Sequence, residues 1–199
     1  MAQASPALSH GNGINIRLEK QADAAPRERL LDAAMGRGRK RKSSEAIRRG
    51  RLPARGLSLV ACGVDGSLVG TVRLWHVQAG TDSDGSPVEA LLLGPLAVCP
   101  SLKGQGVGGA LMAAALSEAR RLGHGAVILV GDPEYYSRFG FSAAAAEWLS
   151  MPGPFERRRL LALELRPGAL RGTAGTLSPS GALRRPAAAG ADFARRLAA

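Results

Sequence analysis

Lys103-Gly104-Gln105-Gly106-Val107-Gly108-Gly109 is the stretch on which the reading of this chain turns. Four glycines fall within residues 104–109, between an apolar run, Ala90 to Cys99, and a segment from Gly106 to Leu122. In that segment Val107, Leu111, Met112, Leu116, Ala119 and Leu122 form one stripe of an amphipathic helix. Glycines placed between a strand and a helix expose successive backbone N–H groups at the partly positive helix end, which suits a phosphate. The competing reading is a flexible turn without a ligand, and against it stands the backbone entropy that each ordered glycine costs. A nucleoside-triphosphate loop would end in Gly-Lys-Ser/Thr, whereas this one ends Gly109-Ala110-Leu111. Gly104, Gly106 and Gly109 formally match the dinucleotide fingerprint, with Asp132 following. However, Pro100-Ser101-Leu102-Lys103 separate the strand from the glycines, and too little chain follows Asp132 to complete a doubly wound sheet.

Working outward, Ile14, Ile16 and Leu18 alternate with polar residues as a half-buried opening strand, and Asp23 precedes a helical stretch through Ala34 that Gly36 stops. Ser43 or Ser44 can cap a second, short helix ending near Gly50. Two strand-like runs, Leu57 to Val64 and Leu68 to Val77, flank Asp65-Gly66, a two-residue hairpin signal, and a Gly-rich loop from Ala79 to Pro87 leads to the Ala90 run. Ala126 to Val130 reads as a buried strand, Asp132-Pro133-Glu134 as the start of a short helix, and Leu160 to Leu165 as a last strand. The order β, α, α, β, β, β, α, β, α, β predicts a mixed α/β sheet with helices on both faces. Pro95 removes one ladder N–H from the central strand, which is expected to bulge or splay there and open a gap. Residues 1–13 and the Gly, Ala, Pro, Ser and Arg-rich tail, 167–199, are expected to be disordered, leaving one domain over 14–166.

Composition narrows the function classes. The 199 residues suffice for one main domain, and of the 45% hydrophobic fraction 35 residues are alanine. Two cysteines in apolar runs, Cys62 and Cys99, and three scattered histidines supply neither a disulfide scaffold nor a zinc site, so no metal is expected. There is no run of apolar residues long enough to span a membrane and no secretory leader pattern at Met1 to Gly13, so a cytoplasmic protein without membrane contact is expected. The net charge of +11 is localised: nine basic residues against Glu45 lie between Arg37 and Arg55, and five arginines against Asp192 lie in the tail.

The glycine segment resembles the acetyl-coenzyme A loop of the GNAT N-acetyltransferases, a Gln or Arg, two residues, Gly, one residue, then Gly or Ala. Lys103, Gly106 and Gly108 fill those places, with lysine a conservative departure at the first. Leu93-Gly94-Pro95-Leu96-Ala97-Val98-Cys99-Pro100 is similar to that family's central strand. Gly131 to Phe141 (Gly-Asp-Pro-Glu-Tyr-Tyr-Ser-Arg-Phe-Gly-Phe) is similar to its last helix in the YhbS-like branch. The resemblance covers about Ile14 to Leu165. It implies a mostly antiparallel, splayed sheet and binding of acetyl-CoA as acyl donor by Leu96, Ala97, Val98 and by Lys103, Gly104, Gln105, Gly106, Val107, Gly108 and Gly109. It further implies direct transfer of an acetyl or short acyl group to an amine in a ternary complex. Tyr136 takes the place of the family's tyrosine acid, where with an ordinary phenol pKa of about 10 it serves mainly as a hydrogen-bond donor to the departing thiolate.

The base is left open by the residues: Leu92 stands where many relatives have a strand glutamate, and Glu89, His76, Asp132 or water remain candidates. Trp75, His76 and Tyr135 are expected in packing roles, and His124 in a loop. The basic 37–55 segment falls on the acceptor wall of the resembled fold. There it favours an acidic acceptor, small molecule or peptide, or is a solvated arginine-rich face, or attaches to nucleic acid, which is the least expected partner. A monomer or homodimer is expected. The alternative to an enzyme is a coenzyme A-binding module that works through its basic segment.

Overall fold

The computed structural model describes residues 8–10 and 13–184; the remainder of both segments expected to be disordered, 1–7, 11–12 and 185–199, lies outside the described residues. Eight strands form one sheet: β1 (Leu8–His10), β2 (Ile14–Leu18), β3 (Ser58–Cys62), β4 (Leu68–Thr81), β5 (Pro87–Val98), β6 (Ala126–Val130), β8 (Leu160–Glu164) and β10 (Ser178–Pro179). The path runs β1-β2-β3-β4-β5-β6-β8, with β10 pairing β4 off that path. Every pairing is antiparallel except β5 with β6. Two short strands, β7 (Leu149–Ser150) and β9 (Gly175–Thr176), pair separately. This is the mixed, mostly antiparallel sheet expected from the sequence, with β1 and the C-terminal strands added.

Helices cover both faces. α3 (Val107–Arg121) lays Val107, Leu111, Met112, Ala115, Leu116 and Ala119 against Val72, Leu74, Leu91 and Val127, all buried. The glycine at position 70 lets this helix sit close, since a Cβ there would stand 2.8 Å from the Leu111 side chain. The opposite face carries α1 (Ala24–Met35), a 3-10 turn over Arg37–Arg41, α2 (Ser43–Arg48) and a second cluster built from Ile47, Trp75, Val77, Leu92, Ile128, Leu149 and Leu177. A short α4 (Pro133–Tyr136) follows β6 and runs into a 3-10 turn over Ser137–Phe139. The hairpin between β3 and β4 is longer than its two-residue signal: Gly63 N–H donates to Ser67 O at 2.9 Å, closing a loop of Val64, Asp65 and Gly66, with Gly66 at φ +76. β4 also runs on through Thr81, inside the stretch read as a loop. No helix among the described residues is long and apolar enough to cross a membrane.

Both terminal readings need correction. Leu8–His10, placed in a disordered leader, pairs antiparallel with β2. Residues 168–184, placed in a disordered tail, return to the sheet. Ala174 and Thr81 exchange backbone hydrogen bonds at 2.9 and 3.0 Å, β10 pairs with Val77 and Gln78, and Arg184 N–H donates to Gly50 O at 2.8 Å. Leu177 is fully buried in the second cluster. A composition poor in periodic apolar residues still docks because one leucine and a set of backbone bonds suffice once a partner surface exists. Leu177→Ala is therefore expected to destabilise the whole domain by about 3 kcal/mol in urea unfolding; an unchanged midpoint would show the tail to be ornamental.

Candidate active site

The site starts from a misfit in β5. Leu74 pairs with Leu93 and Val72 with Leu96, so two residue steps on β4 face three on β5, and the extra residue bulges at Gly94-Pro95. Trp75 pins the bulge by donating its indole N–H to Gly94 O at 2.6 Å. On its other side β5 stays with β6 only at Leu91–Val127 and Leu92–Ile128, after which the ladder ends. Cys99 N–H donates to Val69 O at 2.8 Å, so by the two-residue alternation of a strand Ala97 also turns its polar groups to β4. Those of Leu96 and Val98 face the opening. The expected trio is thus divided: Leu96 and Val98 offer backbone groups to the gap, and Ala97 does not.

The glycine loop adjoins that gap. Gly104 and Gly106 have φ of +84 and +83, and a Cβ on either would meet nothing within 4 Å, so they serve the turn's conformation. Gly106 caps α3, and Ala110 N–H donates back across the cap to Gly106 O at 2.9 Å. The amides of Val107, Gly108 and Gly109 lie ahead of it, in the first turn, where a helix has donors to spare. Gly108 serves close approach: a Cβ there would stand 3.0 Å from Tyr135 Oη and 3.6 Å from Val98 Cγ2. Val98 and the helix N-terminus are therefore neighbours, and one continuous band of main-chain donors runs from β5 to α3. Val107 is buried, whereas Lys103 and Gln105 are exposed on the loop's outer side.

Tyr136 is packed edge-on to Tyr135 at 4.9 Å and to Phe141 at 6.1 Å between ring centroids. The residue at 131 must be glycine for this placement, because a Cβ would lie 2.1 Å from Tyr136 Cε2. Burial, helped by the neighbouring Tyr135 and opposed by Arg159, pushes the Tyr136 phenol up to about 12. Tyr135, read from sequence as packing, reaches the loop through its hydroxyl, and the Arg138 guanidinium lies 4.2 Å from its ring centroid. Nothing in the sequence pattern distinguished its hydroxyl from its ring.

On the far side of the bulge a cavity of about 360 Å³ is enclosed by α1, the 37–41 turn, α2, β4, Pro95 and Arg184. Its wall is an ordered ionic network. Glu19 accepts from Arg73 at 2.8 and 2.6 Å and from Arg27, and these three side chains are about nine-tenths buried. Arg39 bonds Glu28 at 2.6 Å and Asp32 at 2.9 Å. Burial opposes the Glu28 charge, but hydrogen bonds from Arg39 and Arg27 overcome it and hold Glu28 below the usual carboxylate range. Trp75 lines the cavity as well as pinning the bulge.

The base candidates are scattered, and Asp132 stands at the start of the tyrosine helix, its carbonyl accepting from the Tyr135 and Tyr136 amides at 3.0 Å. Glu89 accepts from Ser180 at 2.9 Å, about 17 Å of strand away from Gly94. The His76 ring lies tilted against that of His124, 5.4 Å between centroids. Asp132 is exposed ahead of α4. Among the described residues no group of three or more His, Cys, Asp and Glu could hold a metal ion.

Comparison with known proteins fits this geometry. The profile of the Acetyltransferase (GNAT) family matches residues 27–141. Over 109 residues the chain is 34% identical to an N-acetyltransferase of Escherichia coli K12, YhbS, a match covering 52% of this chain and 63% of YhbS. YjhQ of the same strain is 34% identical over 99 residues, 52% of its length. The chain thus spans less than two thirds of these relatives. The crystal structure of E. coli YhbS in complex with CoA superposes with a TM-score of 0.70 at 29% identity, covering 92% of this chain and 100% of that one. A Brucella melitensis GNAT acetyltransferase in complex with acetyl-CoA gives a TM-score of 0.55 at 30% identity, over 76% of this chain and 96% of that one. The family profile takes in more than half of the chain, from α1 through the tyrosine helix, and on that ground the chain belongs to the GNAT acetyltransferase family.

Proposed function

We propose that this protein moves an acetyl, or another short acyl, group from acetyl-coenzyme A to an amine while both are bound. The observation that carries the reading is the unbroken band of main-chain donors from Leu96 and Val98 to the first turn of α3, with Tyr136 packed beside it. Its shape suits an elongated, phosphate-bearing molecule. Leu96 and Val98 have polar groups that an extended amide chain can pair with, and Val107, Gly108 and Gly109 have amides for a pyrophosphate. Coenzyme A-bound relatives share the fold and support the same assignment.

Acetyl-coenzyme A supplies an acetyl group activated as a thioester. The nitrogen of an uncharged amine forms a bond to the carbonyl carbon, the carbon–sulfur bond breaks, and the nitrogen releases one proton. A main-chain N–H beside the bulge stabilises the carbonyl oxygen as charge gathers on it. Tyr136 acts on the sulfur. Burial pushes its phenol up to about 12, above an ordinary thiol at about 8.5, so outright proton transfer runs uphill. Tyr136 therefore donates a hydrogen bond to the thiolate and retains its proton. The cavity beyond the bulge is taken as the acceptor's place; Glu28 and Glu45 are the carboxylates lining it, and both are engaged by arginines, so the amine's proton is assigned to water.

Three outcomes test the reading. Tyr136→Phe lowers turnover about 10- to 100-fold, the worth of one hydrogen bond to a charged group, with coenzyme A affinity by calorimetry near that of the parent; unchanged turnover would remove Tyr136 from the reaction. Gly131→Ala displaces the ring and lowers turnover about 10-fold, with little further loss when combined with Tyr136→Phe, because both act through one group. Raised by burial, the phenol stays protonated through neutral and mildly alkaline pH, so any loss of rate from its ionisation begins only above about pH 10 and is missing from Tyr136→Phe. A Tyr136-dependent fall between pH 7 and 9 would contradict the assignment.

A further inference from the structure

The ionic wall of the acceptor cavity is incompletely neutralised at one place. Glu19, Glu28 and Asp32 are matched by Arg27, Arg39 and Arg73, as described above. Arg48 is different. Its side chain is about nine-tenths buried, and its Nη2 alone is engaged, by Glu45 at 3.0 Å and Ser44 at 3.4 Å. Its Nε is buried with no hydrogen-bond partner. Burial weakens its hold on charge, Glu45 partly restores it, and the nearby Arg39 and Arg73 work against it. Lys40 and Arg184 line the same cavity and have no carboxylate partner among the described residues. A buried guanidinium bonded through one nitrogen, among cations in excess, gains most from an anion that pairs with Nη1, likewise left without a partner among the described residues.

The position of Arg48 relates that anion to the chemistry. A Cβ on Gly94 would stand 3.1 Å from Arg48 Nη1, so the guanidinium lies against the bulge that borders the donor gap. We propose that Arg48 is the recognition group for an oxyanion, carboxylate or phosphate, on a small acceptor whose amine lies within a few bonds of it. The cavity volume suits a molecule of amino-acid size, and the Trp75 indole, Leu31 and Pro95 give it an apolar wall. This rests on the acetyl-transfer reading for the amine, but the anion site itself stands on the geometry of the cavity. It replaces the solvated basic face as the meaning of this part of the 37–55 segment. Steering by overall charge would spread the effect over all the basic residues, whereas a site concentrates it on one.

The test is direct binding. The chain has two tryptophans, Trp75 in the cavity wall and the exposed Trp148. In a Trp148→Phe background the indole fluorescence of Trp75 reports occupancy. Titrants are β-alanine and 2-aminoethyl phosphate, each against a counterpart that keeps the amine and lacks the acid group, β-alaninamide and ethanolamine. The acids are expected to bind about 10- to 100-fold more tightly than their counterparts, and Arg48→Gln to erase that difference. The stronger of the two acids distinguishes carboxylate from phosphate. Arg48→Lys, which keeps a charge, recovers part of the preference and guards against a variant that fails to fold, as does circular dichroism. Equal binding of acid and acid-free counterpart, no fluorescence response to either, or an undiminished preference in folded Arg48→Gln would overturn the inference. Calorimetry with coenzyme A on the same protein separates the two readings. Donor binding without acid preference rejects the anion site alone, and absent donor binding rejects acetyl transfer while the titration still decides the site.

Discussion

β5 cannot follow both of its neighbours, and the site is the consequence. The extra residue at Gly94-Pro95 keeps the strand registered with β4 on both sides of the bulge, and the bond from Trp75 to Gly94 O fixes where the extra residue sits. With β4 satisfied, β5 leaves β6 after Leu92, and backbone groups that a regular sheet would consume are left facing an opening. The same bulge is the floor of the acceptor cavity on the opposite side through Pro95. One local misfit thus borders the gap along β5 on one side and the cavity on the other, and the proposed donor and acceptor would meet at the same two residues. The helices serve it. α3 brings its N-terminus to Val98, and α4 brings the Tyr135 hydroxyl to Gly108 and the Tyr136 ring over Gly131.

Charge in this molecule is organised by burial. A formal excess of +8 over Arg37–Arg55 looks like a solvated patch when counted along the chain. Folding sorts it: Arg39 turns inward onto Glu28 and Asp32, Arg48 onto Glu45, and Arg41 and Lys42 remain exposed. Glu19, from the end of β2, is gripped by Arg73 of β4 and Arg27 of α1, tying the helix that walls the cavity to the strand that floors it. Breaking such a buried set leaves charge stranded, so it fixes geometry more than it adds stability.

Much of this was legible in the sequence, and for physical reasons. The β5 run, the amphipathic stripe of α3 and the glycines between them are local patterns, and the removal of one ladder N–H at Pro95 correctly announces the bulge. Tyr136 could be singled out because it stands four residues before Gly140 in a recognisable motif. The missed features are those made by distant residues. The docking of 168–184 depends on Gly80, whose Cβ would lie 2.1 Å from Ala174 O, so that the tail reaches β4 only because position 80 has no side chain. No window of sequence holds that pair. The role of Arg48 likewise appears only when α2 is laid on the bulge, and Ala97 was grouped with Leu96 and Val98 because strand alternation fixes which residues turn outward only once the partner strand is known. His76 is a candidate base by residue type alone, and the structure adds only that its ring lies tilted against that of His124.

The central claim is that unpaired main-chain donors of β5 and of the first turn of α3 hold the donor. Amide hydrogen exchange with and without coenzyme A tests it most directly, because it reads those amides themselves. The account predicts strong slowing at Leu96, Val98, Val107, Gly108 and Gly109, with Ala97, already bonded to β4, changing little. Saturating coenzyme A that leaves the exchange of these five amides untouched, or protects another surface in their place, would contradict it.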